Sequence, residues 1–188
     1  MVIEGLKRRF TVAEYHRMAE AGILGADDRV ELLDGEILRM TPIGREHAAC
    51  VDRLTRIFSE RAGSSVQVRV QGPIVLDDSS EPQPDVSLLA RRPDFYSKTH
   101  PRPADVLLVV EVAESSLEFD RQRKIPLYAD SNLREVWLVD LKTGEVAVHR
   151  RPGAGAYAEI RRAAGAEEIA PQSIPGCRVG VKEITGMP

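Results

Sequence analysis

The stretch Val106-Leu107-Leu108-Val109-Val110-Glu111-Val112-Ala113 constrains this chain more than any other segment. It is short, almost unbroken in its apolar character and rich in β-branched residues, the pattern of a central strand buried on both faces. A strand of that kind obliges the rest of the chain to cover one sheet from above and below. It also makes Glu111 anomalous. An ionised carboxylate in such a strand costs several kcal/mol unless a cation, a proton or strong donors compensate it.

The flanking sequence supplies that cover. Thr11 and Glu14 have capping-box spacing, and Val12, Tyr15, Met18 and Ala19 make a helical apolar stripe that Gly22 should stop. Asp34-Gly35 between Val30-Glu31-Leu32-Leu33 and Glu36-Ile37-Leu38 is a hairpin signal. A second helix is expected from about Glu46 to Ala62, with Val51, Leu54, Ile57 and Phe58 inward and Gly63 at its end. Val66, Val68 and Val70 alternate with Gln67 and Arg69 as in a half-polar strand, which Gly72-Pro73 interrupts before Ile74-Val75-Leu76. Pro84-Asp85 opens another short apolar strand, and residues 91–103 form the longest irregular stretch, a surface or functional loop.

After the central run, Ser115 and Glu118 have capping-box spacing for a helix that carries Lys124, and Pro126 should kink or restart it. Residues 135–141 and 145–149 read as a hairpin around Lys142-Thr143-Gly144. The remainder, through Tyr157, Ile160 and Ile169 to Val179 and Val181, reads as strand-like. The expected fold class is therefore α/β, more broadly an α+β mixed sheet with flanking helices and an extra C-terminal antiparallel β region. A chain of 188 residues favours one domain, residues 1–188.

Bulk properties narrow the function classes. No apolar run reaches the ~20 residues a membrane span needs. The N-terminal stretch carries Glu4, Lys7, Arg8 and Arg9 without the apolar core of a secretory signal. Cys50 and Cys177 are isolated and lack metal-ligand spacing, so a reduced, cytoplasmic protein is expected. A net charge of −3 argues against a generic nucleic-acid coat but not against a nuclease, whose centre must be acidic to hold metal. Two local basic clusters exist: Arg91, Arg92, Lys98 and Arg102, and then Arg150, Arg151, Arg161 and Arg162 beside His149. Taken alone, both read as solvated surface.

The carboxylates carry the chemistry. Phosphodiester cleavage must stabilise charge on pentacoordinate phosphorus and supply a nucleophilic water, and Mg²⁺ in a partly hydrated carboxylate site serves both needs. Asp85 and Glu111 on adjacent strands could share one ion, with the carbonyl of Val112 as a further ligand. Lys124 could orient the water or neutralise the phosphorane, and Glu31 breaks the apolar pattern of its own strand as a further candidate carboxylate. Singly, these residues have ordinary readings. Asp85 after Pro84 suits a strand entry, Lys124 a solvated helix position, Glu31 a cross-hairpin ion pair, His47 a cap or surface residue, and Tyr128 a core position.

The ordered segments Glu31-Leu32-Leu33-Asp34-Gly35-Glu36, Glu46-His47, Gln83-Pro84-Asp85, Val109-Val110-Glu111-Val112, Asp120 to Lys124 with Leu127-Tyr128, and Glu135-Val136-Trp137-Leu138-Val139-Asp140 together resemble the Uma2 family of restriction-endonuclease-like proteins. The resemblance spans roughly residues 10–185. It implies a PD-(D/E)XK-type nuclease fold and hydrolysis of DNA phosphodiester bonds that depends on Mg²⁺, with Mn²⁺ as a substitute. The superfamily motif calls for Glu-X-Lys, whereas this chain has Glu111-Val112-Ala113. The resemblance therefore implies a migrated lysine at Lys124. Cutting both strands of a duplex further suggests a homodimer. The competing readings are a nuclease fold kept as a weak or inactive binding scaffold, and a hydrolase of a small phosphodiester.

Overall fold

The computed structural model describes residues 7–25 and 27–187; Glu4, used above in reading the N-terminus, lies outside them. Helix α1 (Val12–Glu20) is closed at its start by the reciprocal Thr11/Glu14 box and followed by Gly22 at φ +71°. The hairpin β1 (Val30–Leu33) and β2 (Glu36–Arg39) turns through Asp34 and Gly35, both at positive φ, as the Asp-Gly pair predicts. Helix α2 (Arg45–Arg61) ends before Gly63, again at positive φ.

Six strands make the main sheet: β3 (Val66–Val70), β4 (Val86–Ala90), β5 (Val106–Ala113), β6 (Glu135–Asp140), β7 (Glu145–Gly153) and β8 (Ala156–Ala164), hydrogen-bonded in that order. Every neighbouring pair is antiparallel except β5 with β6. The parallel pair requires a crossover, and the chain supplies it as α3 (Leu117–Phe119), a π-helical turn (Asp120–Lys124) and α4 (Ile125–Asp130). A small hairpin-like pair, β9 (Glu168–Ile169) with β10 (Val179–Gly180), and α5 (Val181–Thr185) complete the chain.

Alternation along β5 sorts its side chains between two cores. Leu108, Val110 and Val112 pack with Cys50, Leu54 and Phe58 of α2, Trp137 of β6 and Ile184 of α5. Val109 and Ala113 pack with Ile125, Leu127 and Tyr128 of α4 on the opposite face. Glu111 falls on this second face, two residues from each of those neighbours. Cys50 and Cys177 are free and buried. Among the described residues no helix is long and apolar enough to cross a membrane.

Four expectations need correction. The Ser115/Glu118 box does not form: α3 starts after Ser116, whose hydroxyl is instead 2.7 Å from Oδ2 of Asp120, as donor. Ile74-Val75-Leu76 is buried but joins no strand; its amides donate to the carbonyls of Pro82, Pro101 and Ser80. Residues 181–185, read as the end of a strand-like segment, are helical, with the Gly180 amide donating to Glu183 at 2.9 Å. In the second basic cluster Arg151, Arg161 and Arg162 are solvated surface as expected, paired with Glu159, Glu167 and Glu145, while Arg150 is part-buried against Glu135; the departure is at the neighbouring histidine. His149 is not on that surface but buried.

Candidate active site

Strand register brings the carboxylates together. Val86 pairs with Val110 across β4 and β5, so Asp85, one residue before β4, lies beside Glu111 and shares its face. The Asp85 carboxylate is fixed from two sides. Its Oδ2 accepts the Val112 amide at 2.8 Å, and its Oδ1 is 3.0 Å from Nε2 of His47 in the first turn of α2. A strand residue directs its N–H and C=O toward the same neighbour, so the Val112 carbonyl also faces the Asp85 side.

The crossover delivers the cation. Pro126 has no N–H to offer the carbonyl four residues earlier, and its ring crowds that carbonyl. The chain responds with a widened turn in which the Ile125 amide reaches back to Asp120. This π turn directs Asp120 and Lys124, both buried, toward β5. Lys124 Nζ stands 3.1 Å from Oε2 of Glu31 and 3.4 Å from Oε1 of Glu111, with its side chain only 7% exposed. Glu31 also accepts the Gln83 amide at 3.1 Å, which ties β1 to the segment leading to Asp85. The Tyr128 hydroxyl, fully buried, donates to Oε1 of Glu111 at 2.5 Å.

Glu31, His47, Asp85, Glu111, Asp120 and Lys124 line a cavity of about 310 Å³, with Tyr128 behind its wall. Five carboxylates (Glu31, Asp85, Glu111, Glu114 and Asp120) share it with three fixed cations, Arg29, Arg39 and Lys124. The crowding shows in proton affinity. Burial raises the Glu111 carboxyl to about 8; Lys124 opposes the rise, while Asp85, Asp120 and Glu31 add to it. Burial likewise raises Asp120, against Lys124 and the Ser116 hydroxyl. For Lys124, burial would favour the neutral amine, but Glu111, Glu31 and Asp120 outweigh it and hold the ammonium charged well above neutral pH. The Asp85 hydrogen bond raises His47 despite its partial burial.

All four side chains singled out in the sequence therefore meet in one cavity, with the Val112 backbone at its wall. Lys124 pairs with Glu31 and Glu111, whereas the partner of Asp85 is His47. His47 and Asp120 carry more of the site than the sequence suggested, and Tyr128 is both a core residue and a donor to Glu111. His47 also keeps a buried Nδ1 with no partner. The signals were faint: His47 begins a helix, and Asp120 stands four residues before Lys124, neither unusual alone.

A family model described as "Putative restriction endonuclease" matches residues 12–182. The chain belongs to this Uma2 family. The Uma2 fold is matched by the crystal structure of a putative nuclease from Anabaena variabilis, with a TM-score of 0.73 at 13% sequence identity, covering 94% of this chain and 98% of that one. At that identity the likeness is one of fold. No curated protein matches the chain.

Proposed function

We propose that this Uma2 protein is a Mg²⁺-dependent endonuclease that hydrolyses DNA phosphodiester bonds in the carboxylate cavity. The observation that carries the reading is a charged lysine buried 3.4 Å from Glu111, in the cavity that also holds Asp85. Buried lysines against paired carboxylates on adjacent strands are costly to build for stability alone, and perturbed groups of this kind concentrate at functional sites.

The donor set fits a hard divalent cation. Asp85, Glu111 and the Val112 carbonyl offer oxygen only, and an acidic excess surrounds them. Among the described residues, Asp85 and Glu111 belong to no group of three Asp, Glu, His or Cys donors within 4.8 Å, so Mg²⁺ held there would have to complete its shell with waters and the Val112 carbonyl. When bound, Mg²⁺ would polarise a phosphoryl oxygen and lower the pKa of a water.

The chain's own groups have separable tasks. A water oxygen bonds to phosphorus and its proton passes to solvent, the bond to the departing sugar oxygen breaks, and that oxygen takes up a proton from solvent, so that the water's two parts are shared between the products. Lys124 cannot be the base, because its neighbours hold it protonated; its ammonium orients the water and offsets charge on the phosphorane. Tyr128 and Val112 hold Glu111 and Asp85 in place through the bonds described. His47, whose proton affinity the Asp85 hydrogen bond raises, lines the same cavity and could offer a ring N–H to a phosphate oxygen. Arg29 and Arg39 on the cavity wall supply cations for a polyanion's backbone.

The cavity volume, at the lower end of the small-ligand range, favours a small phosphodiester as the second reading. Assembly is proposed as a homodimer through the β7–β8 hairpin, whose outer strand exposes Ile160. The test is cleavage of supercoiled plasmid by purified protein with Mg²⁺, with Mn²⁺ and with chelator, beside Glu111→Ala. Metal-dependent nicking that the variant lacks is expected. Nicking in chelator, or equal nicking by the variant, overturns the reading, and turnover of only a small diester would move it to the second.

A further inference from the structure

Away from the carboxylate cavity, His16, Glu81 and His100 bring one potential ligand atom each within 4.8 Å of the others. Among the described residues this is the one such group. It joins three separate parts of the chain. His16 is on α1, His100 lies in the irregular stretch 91–103, and Glu81 belongs to the segment that runs to Asp85. The Glu81 backbone is anchored by a bridge to Leu32 of β1.

The environment of Glu81 is what calls for a cation. Its side chain is 5% exposed, and its ion-pair partner is the His16 imidazole, Nε2 to Oε2 at 2.7 Å. Among the described residues no lysine or arginine pairs with it. A buried carboxylate without a fixed positive charge needs a proton or a metal ion. The His100 ring stands 6.0 Å from the His16 ring, edge toward it, and makes no hydrogen bond within the described residues. An imidazole aimed at a histidine–carboxylate pair and held by nothing else is arranged as a ligand.

We propose that His16, Glu81 and His100 form a second metal site, for Zn²⁺ or a similar borderline transition ion, which clamps α1 and the 91–103 loop onto the segment leading to Asp85. Two imidazole nitrogens and one carboxylate oxygen select such ions over Mg²⁺ and Ca²⁺, which take oxygen donors. Tetrahedral coordination at ~2.0–2.1 Å sets ligand atoms about 3.3 Å apart. The His16–Glu81 pair, at 2.7 Å, is closer than that and opens by about 0.6 Å once an ion replaces the proton between the two atoms, and His100, on an exposed stretch, closes the remainder. Both histidines line a neighbouring cavity of about 750 Å³, with Lys98 and Arg102 also on its wall. A fourth coordination position facing that space would take water or a small anion. The clamp is distinct from the nuclease cavity but covalently close to it, since Glu81 precedes Asp85 by a few residues along a segment that also bonds Glu31 through Gln83.

The experiment is calorimetric titration of Zn²⁺ into tag-free, chelator-stripped protein in excess Mg²⁺, with His100→Ala, Glu81→Gln and Asp85→Asn in parallel. One Zn²⁺ per chain is expected, weakened at least about tenfold in His100→Ala and unchanged in Asp85→Asn. Limited proteolysis provides a second readout: Zn²⁺ should slow cutting within residues 91–103 in the wild type but not in His100→Ala. His100 is exposed, so its loss leaves the metal-free fold intact, and a metal-free thermal melt checks this. Equal Zn²⁺ affinity in wild type and His100→Ala, absence of micromolar binding, or binding abolished by Asp85→Asn would each overturn the assignment.

Discussion

Replacing Lys124 with Met keeps the length and apolar stem of the side chain and deletes its charge. In the fold, this strands Glu31 at 3.1 Å and Glu111 at 3.4 Å from the vacated ammonium position. Removing one partner of a buried ion pair costs about 3–5 kcal/mol, because the partner's charge stays desolvated. Two features place this case toward the lower end. Glu111, raised to about 8 mainly by burial, takes up a proton at little cost, and Glu31 retains the Gln83 amide as a donor. A loss of about 3 kcal/mol is expected, within the ~5–15 kcal/mol stability of a typical domain, so the variant still folds. Urea unfolding at neutral pH measures it, and single-turnover plasmid cleavage at a temperature where the variant is folded should fall by ~10²–10³-fold. Lys124→Arg keeps the charge but changes its shape and should restore cleavage only in part. A stability loss below about 1 kcal/mol would mean that the ammonium behaves as a solvated surface charge, and the buried-pair reasoning fails. Wild-type cleavage by Lys124→Met would remove the lysine from the chemistry.

Two further predictions concern the scaffold. His149 is buried with both ring nitrogens unpartnered, and burial, helped by Arg121 and Arg162, lowers it from 6.5 to about 4. Its folded-state value is depressed, so its contribution is fully present above pH 6.5 and lost as pH falls through 4, approaching about 3 kcal/mol at the acid end. Urea unfolding at pH 7.5 and 5.0 should show His149→Leu flattening the acid loss by about 2 kcal/mol; an unchanged pH dependence would refute it. At Gly35, φ is +75° and an added Cβ would lie 2.6 Å from Cβ of Arg9. Gly35→Ala should therefore cost about 1–2 kcal/mol and loosen the hairpin that presents Glu31, read by urea unfolding; a neutral result would show the turn to be freely deformable.

Period-two patterning is local, and it made much of the fold legible. The apolar run at 106–113, broken only by Glu111, the Asp34-Gly35 turn and the 142–144 turn each specify their geometry within a few residues. Burial of Glu111 followed from the same run. What depended on distant contacts was not legible. The bond of His47 to Asp85 joins the first turn of a helix to a strand entry 38 residues later, and nothing at position 47 advertises it. The π turn that directs Asp120 and Lys124 inward follows from Pro126, which was visible as a helix disturbance but not as a widened turn. Arg150 to Arg162 looked like a basic patch because their carboxylate partners lie across strand pairs and turns, and only the sheet register brings them together.

The central claim is that Asp85 and Glu111 jointly hold a divalent ion beside Lys124. Anomalous scattering from crystals of the protein soaked in Mn²⁺ tests it most directly, with an Asp85→Asn crystal in parallel. The account predicts a peak between the Asp85 and Glu111 carboxylates, with the Val112 carbonyl facing it, that is absent from the Asp85→Asn crystal. A cavity without a peak at saturating Mn²⁺, or an equal peak in both crystals, would contradict it.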